Sequence, residues 1–208
     1  MWMIPNYFGK IIEILFPPSC ICCHKEGSPL CNSCVARLHR ALDTPYIFIH
    51  STFSFRDPKV KQIIHSIKYY HRKDLIIPLV NVVASEMRHS PINYTGVLIP
   101  IPMPKIRRWM RGYNQAEEIT KILSSNLKLP MRTNILVRTR NAKRQVEAST
   151  RGARLLNQKN TFIVQGEVNN LDIILIDDVT TTGATILEAR KVLLNHGASS
   201  VIAVTLAH

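Results

Sequence analysis

Long apolar runs are missing from this 208-residue chain. Ile14–Phe16 is cut off by Glu13 on one side and by Pro17 and Pro18 on the other, far short of the roughly 20 residues that cross a bilayer. A membrane-spanning protein is therefore not expected. The first residues lack the basic start of a secretory signal, and Glu13 interrupts their apolar part, so a cytoplasmic protein is the expectation. There is no G-x-G-x-x-G and no Walker A lysine, which sets aside dinucleotide-binding and P-loop chemistry. Internal repeats and low-complexity tracts are absent too. Acidic residues are scarce: 14 Asp and Glu stand against 27 Lys and Arg, a net charge of +13. Hydrophobic residues make up 46% and charged residues 20%, enough apolar material for a core and too little charge for disorder. The length suits one ordinary domain, or one domain with a small module.

The positive charge is concentrated. Residues 105–159 hold fourteen Lys and Arg against Glu117, Glu118 and Glu147, which is +11 of the +13. Residues 160–208 hold two bases and five acids. A merely solvated face would mix both signs, so the block implies a polyanionic partner: nucleic acid, a phosphorylated small molecule or an anionic membrane surface.

All five cysteines fall within fifteen residues, and two Cys-x2-Cys pairs can be drawn from them: Cys20/Cys23 and Cys31/Cys34, seven residues apart. Each pair can form a tight turn that aims two thiolates at one point, and two such turns supply the tetrahedral sulfur set that Zn2+ accepts. Gly27 and Pro29 suit a connection that folds back. A disulfide framework is disfavoured without an export signal, and a redox Cys-x-x-Cys explains one pair but not two. Cys22 is left as a bystander. A segment this small cannot hold itself together by apolar burial, so structural zinc would supply its folding energy.

Beyond the cysteines, Tyr46–Phe55 reads as one or two strands. Asp57–Tyr70 has helical spacing, with Val60, Ile63, Ile64 and Ile67 on one face and Lys59, Lys61, Lys68, Arg72 and Lys73 around it. A second helix is predicted from Asp74, its cap, to about Arg88. Gly96–Ile101 reads as a buried strand, followed by a loop stiffened by Pro100, Pro102 and Pro104. Gln115 to about Asn126 is a predicted helix.

The most informative stretch is D-I-I-L-I-D-D-V-T-T-T-G-A-T-I, from Asp172 to Ile186. Ile173–Ile176 is a core strand of a parallel sheet. Its carboxyl end delivers Asp177 and Asp178, then Thr180–Thr182 and Gly183, before a helix that closes at Gly197. Ligands of open α/β sheets bind at that edge. The parts suit a sugar phosphate: Gly183 permits close backbone approach, the helix start offers free N–H groups, and Thr hydroxyls add donors. Two adjacent carboxylates can accept hydrogen bonds from vicinal ribose hydroxyls. A simple helix cap would need one Thr, not three behind two carboxylates.

I-L-I-D-D-V-T-T-T-G-A-T resembles the ribose-phosphate motif of type I phosphoribosyltransferases, which bind phosphoribosyl pyrophosphate (PRPP). The resemblance implies that Asp177 and Asp178 hold the ribose hydroxyls and that Thr181, Thr182, Gly183, Ala184 and Thr185 hold the 5′-phosphate, with Mg2+ accompanying PRPP. V-L-I-P-I-P-M-P-K-I-R-R-W-M-R-G-Y-N-Q-A (Val97–Ala116), the later run Gln145, Arg151, Arg154, Asn157 and Phe162, and the four-cysteine module together resemble the ComF (ComFC-type) family of competence proteins. That likeness runs from Phe16, Pro17 and Pro18 to the C-terminal strand. It implies a role in natural transformation, with single-stranded DNA and proteins of the uptake machinery as partners.

The expected architecture is therefore α/β: a type I phosphoribosyltransferase-like (Rossmann-like) parallel sheet flanked by helices at 43–208, behind a zinc module at 1–42. Lys105, Arg107, Arg108 and Arg111 are the expected pyrophosphate- or nucleic-acid-binding bases. Trp109 and Tyr113 between them can stack on unpaired bases, though packing explains either ring alone. Two alternatives stand beside this reading. One is a salvage phosphoribosyltransferase with no DNA role; the other is a zinc adaptor on an inactive transferase fold, which would have no need of Asp177, Asp178 and Gly183. No general base can be named, and the acceptor is open. Transferases of this fold work largely by stabilising charge on an oxocarbenium-like state and on the leaving pyrophosphate.

Overall fold

The computed structural model describes residues 17–139 and 161–208. Its strands are β1 (Ile49–Phe53), β2 (Val97–Pro100), β3 (Leu136–Arg138), β4 (Phe162–Val164), β5 (Asp172–Val179) and β6 (Ser200–Ala207). Its helices are α1 (Asn32–Ala36), α2 (Pro58–Tyr69), α3 (Ile76–His89), α4 (Lys105–Arg111), α5 (Gln115–Leu127) and α6 (Ala184–Asn195).

Four strands form one sheet in the order β1-β6-β5-β2, every pair parallel. Its two faces bury alternate residues of the same strands. Leu98, Ile174, Ile176, Val204 and Leu206 face a core shared with α2, α3 and α5. Val97, Ile99, Ile173, Leu175, Val201 and Ala203 face a second core with α6. Burial on both faces is why these strands read as continuous apolar runs. Beyond β2, Met131 pairs with Leu98 in a single parallel bridge, and β3 and β4 form a separate antiparallel pair. The flanked parallel sheet expected from the sequence is present. The cysteine segment packs into the first core, with Cys20, Leu30, Cys34, Val35 and Leu38 among its buried members.

Helix boundaries follow the caps. Asp57 accepts a hydrogen bond from Lys59 N at 2.8 Å and starts α2. Asn114 does the same for α5 through Ala116 N, and its amide donates to Ile101 O, tying the helix start to the end of β2. Asp74 does not cap α3. It lies in a 3-10 turn, Lys73–Leu75, where Arg72 binds its carboxylate, and α3 begins at Ile76. The stretch after Pro104, expected as a loop, is the two-turn helix α4. None of its residues is buried, so it carries no core-facing periodicity from which to read it.

Candidate functional site

At the carboxyl end of the sheet, β5 and β2 are neighbours, and the core-packing helices that come after them, α6 and α5, go to opposite faces. α6 sends Ile186, Ala189 and Leu193 into one core, whereas α5 sends Ile119 and Leu123 into the other. Such a switch point opens a crevice. The cavity there is about 230 Å³, lined by Asp177 and Asp178 from β5, Lys68 from α2, Arg107 and Arg111 from α4, and Arg138 from β3. Asn114, Gln115 and Thr185 complete its polar wall.

The two carboxylates differ. Asp178 accepts from Val179 N at 2.8 Å and meets Lys68 Nζ at 2.9 Å, in a pair largely withdrawn from solvent. Asp177 accepts from Asp178 N at 2.8 Å but has no cation bound to it among the described residues. Burial, and then the charge of Asp178, hold its carboxyl well above the usual carboxylate range. Asp178 is paired with a cation, whereas the surroundings of Asp177 favour its protonated form. Desolvation lowers the Arg138 guanidinium, with Glu188, Arg107 and Asp177 as its charged surroundings; an arginine remains cationic all the same. Gln115 is 1% exposed, and its amide nitrogen has no hydrogen bond of ordinary geometry among the described residues, although the Tyr113 hydroxyl is close by. A buried donor on a cavity wall suits a ligand oxygen. Anion-binding bases facing paired acceptors can hold a pyrophosphate and a diol side by side.

The expected bases divide. Arg107 and Arg111 line the cavity, whereas Arg108 is bound in a fork by Glu117 at 2.8 and 3.1 Å. Lys105 is exposed and outside the lining. Of the threonine loop, Thr181 and Thr182 are exposed and only Thr185 reaches the cavity. Gly183 begins α6 at φ 72°. What crowds it is the Tyr46 ring, 2.9 Å from where a Cβ would stand, rather than the cavity. Tyr113 is buried, with its hydroxyl donating to Ile67 O, so packing accounts for it. Trp109 is 80% exposed, and packing does not account for that ring. The run Gln145–Asn157 lies outside the described residues, as do the bases from 140 to 159.

Sequence reasoning passed over Lys68, Arg138 and Gln115. Lys68 stood only among the bases flanking a helix face. Gln115 sits inside the R-G-Y-N-Q-A run, where a neutral amide carries a weaker anion-binding signal than the arginine beside it.

Cys20, Cys23, Cys31 and Cys34 converge, with all four Sγ atoms within 4.8 Å of one another. Sulfurs 2.3 Å from a shared zinc stand about 3.8 Å apart, and Cys23 and Cys31 are 3.7 Å apart. All five cysteines are free of disulfides, and Cys22 is not part of the cluster. Burial pushes the Cys20 thiol up, but N–H groups of Cys31, Cys22 and Cys23 outweigh it and bring it to about 6. Burial pushes Cys34 up, as do the neighbouring thiols. The donor set fits zinc, which would act here as a structural tie.

A phosphoribosyl transferase domain family matches residues 111–208. The DNA utilization protein YhgH of Escherichia coli K12 is 31% identical over 149 residues, 69% of this chain and 65% of that protein. Competence protein ComFC of Bacillus subtilis is 38% identical over 111 residues, 53% of this chain and 43% of that one. The match thus covers less than two thirds of either relative. A glutamine PRPP amidotransferase from B. subtilis aligns at TM-score 0.47 and 15% identity, over 68% of this chain and 30% of that one, a likeness too low to bear on function. By these relatives and that domain, the chain is similar to the ComF-type proteins of the phosphoribosyltransferase superfamily.

Proposed function

We propose that the protein binds PRPP with Mg2+ in the crevice at β5 and β2, and handles single-stranded DNA in DNA uptake. The observation that carries the reading is the cavity itself. Two carboxylates that can accept from ribose hydroxyls face Arg107, Arg111 and Arg138 across about 230 Å³. In this reading Asp177 and Asp178 hold the ribose, Thr181–Thr185 the 5′-phosphate, and the arginines with Gln115 the pyrophosphate. Mg2+ would add charge neutralisation on the pyrophosphate. Residues 1–42 form the zinc module and 43–208 the transferase-like domain.

Two relatives carry names that refer to DNA utilization and competence, and the charge supports a DNA role here. A pyrophosphate needs two or three bases, which the cavity already holds, while residues 105–159 carry +11. The surplus suits a longer anion, and proteins of the uptake machinery would be its further partners. No helix among the described residues is long and apolar enough to cross a membrane.

The test is a pair of titrations, with Mg2+-PRPP and with a labelled single strand, each at two salt concentrations. Strand binding should weaken with salt at a slope of about −0.7 per phosphate contacted. PRPP binding without any strand binding at low salt would turn the reading to a salvage phosphoribosyltransferase.

A further inference from the structure

A second basic surface lies on α2, apart from the 105–159 block. Between Arg56 and Lys73 there are six Lys and Arg and one acid, Asp57. That acid is buried, its carboxylate spent on capping α2. The outer side of the helix borders an open groove of about 710 Å³, lined by Phe55, Lys61, His65, Lys68, Tyr69 and Tyr70 among others, with no acidic side chain in the lining. Three rings cluster there: His65 to Tyr69 at 4.6 Å between centroids, and His65 to Tyr70 at 5.6 Å. Tyr69 is 58% exposed and Tyr70 66%. Adjacent tyrosines this exposed contribute little to the core, and more than half of each remains open to solvent. The groove adjoins the cavity described above. Lys68 lines both, and the Arg111 guanidinium, itself on the cavity wall, sits over the Tyr69 ring at 5.2 Å.

We infer that this groove is a stacking platform for single-stranded nucleic acid, with unpaired bases on Tyr69 and Tyr70 and the backbone running past Lys61 toward Arg111. Base-on-aromatic stacking inside a positive groove is how proteins hold single strands without reading sequence. A duplex keeps its base faces covered by stacking and cannot use the rings. The placement rests on the nucleic-acid half of the function proposed above and is independent of the PRPP half. It also brings a strand to the mouth of the carboxylate cavity, where the Arg111 guanidinium lies over the Tyr69 ring.

The test is fluorescence anisotropy of labelled oligothymidylate on the whole protein. Tyr69→Ala with Tyr70→Ala should weaken binding by about thirtyfold or more, the low end for two stacked bases, while the double Phe variant stays within about twofold of wild type. The Ala pair should leave the salt slope unchanged, whereas Lys61→Glu should flatten it by about 0.7. Both rings are exposed, so melting temperatures should match wild type and confirm folded variants. The inference is overturned if the Ala pair binds the strand as wild type does. It is equally overturned if a duplex competes as well as the single strand, or if the Ala pair loses binding to phosphatidylglycerol vesicles but not to the strand. Strand binding by wild type with no loss in the Ala pair removes this placement alone. No strand binding by wild type removes the nucleic-acid reading as well.

Discussion

Gly183→Ala isolates what holds the threonine loop in place. At φ 72° an alanine pays about 1–2 kcal/mol for the left-handed conformation. Its Cβ would also stand 2.9 Å from Cδ2 and Cε2 of Tyr46 and 3.1 Å from Cδ1 of Ile49. Ile49 is fully buried in β1 and has nowhere to go. The Tyr46 ring stacks on Phe48 at 5.2 Å and can shift only by disturbing that contact. Overpacking of this kind costs about 1–3 kcal/mol, so the substitution should cost about 2–5 kcal/mol in all. Urea unfolding with an unchanged m-value would measure it. A cycle with Tyr46→Ala separates the parts: the double variant should lose less than the sum of the singles by about 1–2 kcal/mol, leaving mainly the backbone cost. A Gly183→Ala cost below about 1 kcal/mol, or strict additivity in the cycle, would refute the claim that the loop is seated against Tyr46.

The cysteine cluster predicts a global effect of metal loss, because Leu30, Val35 and Leu38 share a core with α2 and α3. Releasing three such side chains forfeits about 5–9 kcal/mol, comparable to the whole stability of a domain. Strong chelation should therefore abolish the cooperative thermal transition seen by circular dichroism; an unchanged transition, or less than half an equivalent of zinc after reducing purification, would contradict it. Asp177→Asn should stabilise the protein at neutral pH. The folded state holds a proton on Asp177 above the usual carboxylate range, so it binds more protons than the unfolded chain, and stability falls as pH rises through that window. The variant should lose this slope in melting temperatures followed from pH 4 to pH 8, and a lower melting temperature than wild type at pH 7 would count against the burial argument.

The run Ile173–Ile176 is read as a central strand because both its faces are buried, and Asp177 and Asp178 follow at its carboxyl end by simple counting. The Cys-x2-Cys spacing forecasts the convergence of four sulfurs, since each turn is local. Val60, Ile63, Ile64 and Ile67 mark α2 through their period, and Asp57 marks its start. What was hidden is either short or distant in sequence. β3 and β4 have three residues each, too few for a period to show. α4 buries nothing. The Lys68–Asp178 pair joins a helix to a strand end more than a hundred positions away, and the Tyr46 ring meets Gly183, a helix start, across a similar separation. No local pattern encodes such a meeting.

The central claim is that Asp177 and Asp178 form a ribose site, and calorimetric titration of Mg2+-PRPP into wild type and Asp178→Asn tests it most directly. Asparagine keeps the shape but removes the charge that hydroxyl donors would meet. Asp178 lies at the mouth of the sheet, in contact with the cavity; the change leaves Lys68 unpaired, so the melting temperature should fall while the variant stays folded at the assay temperature. The account predicts binding by wild type and a loss of about ten- to a hundredfold in the variant, the worth of a hydrogen bond to a charged acceptor. Equal affinity in the two proteins would contradict the assignment of the ribose to this crevice.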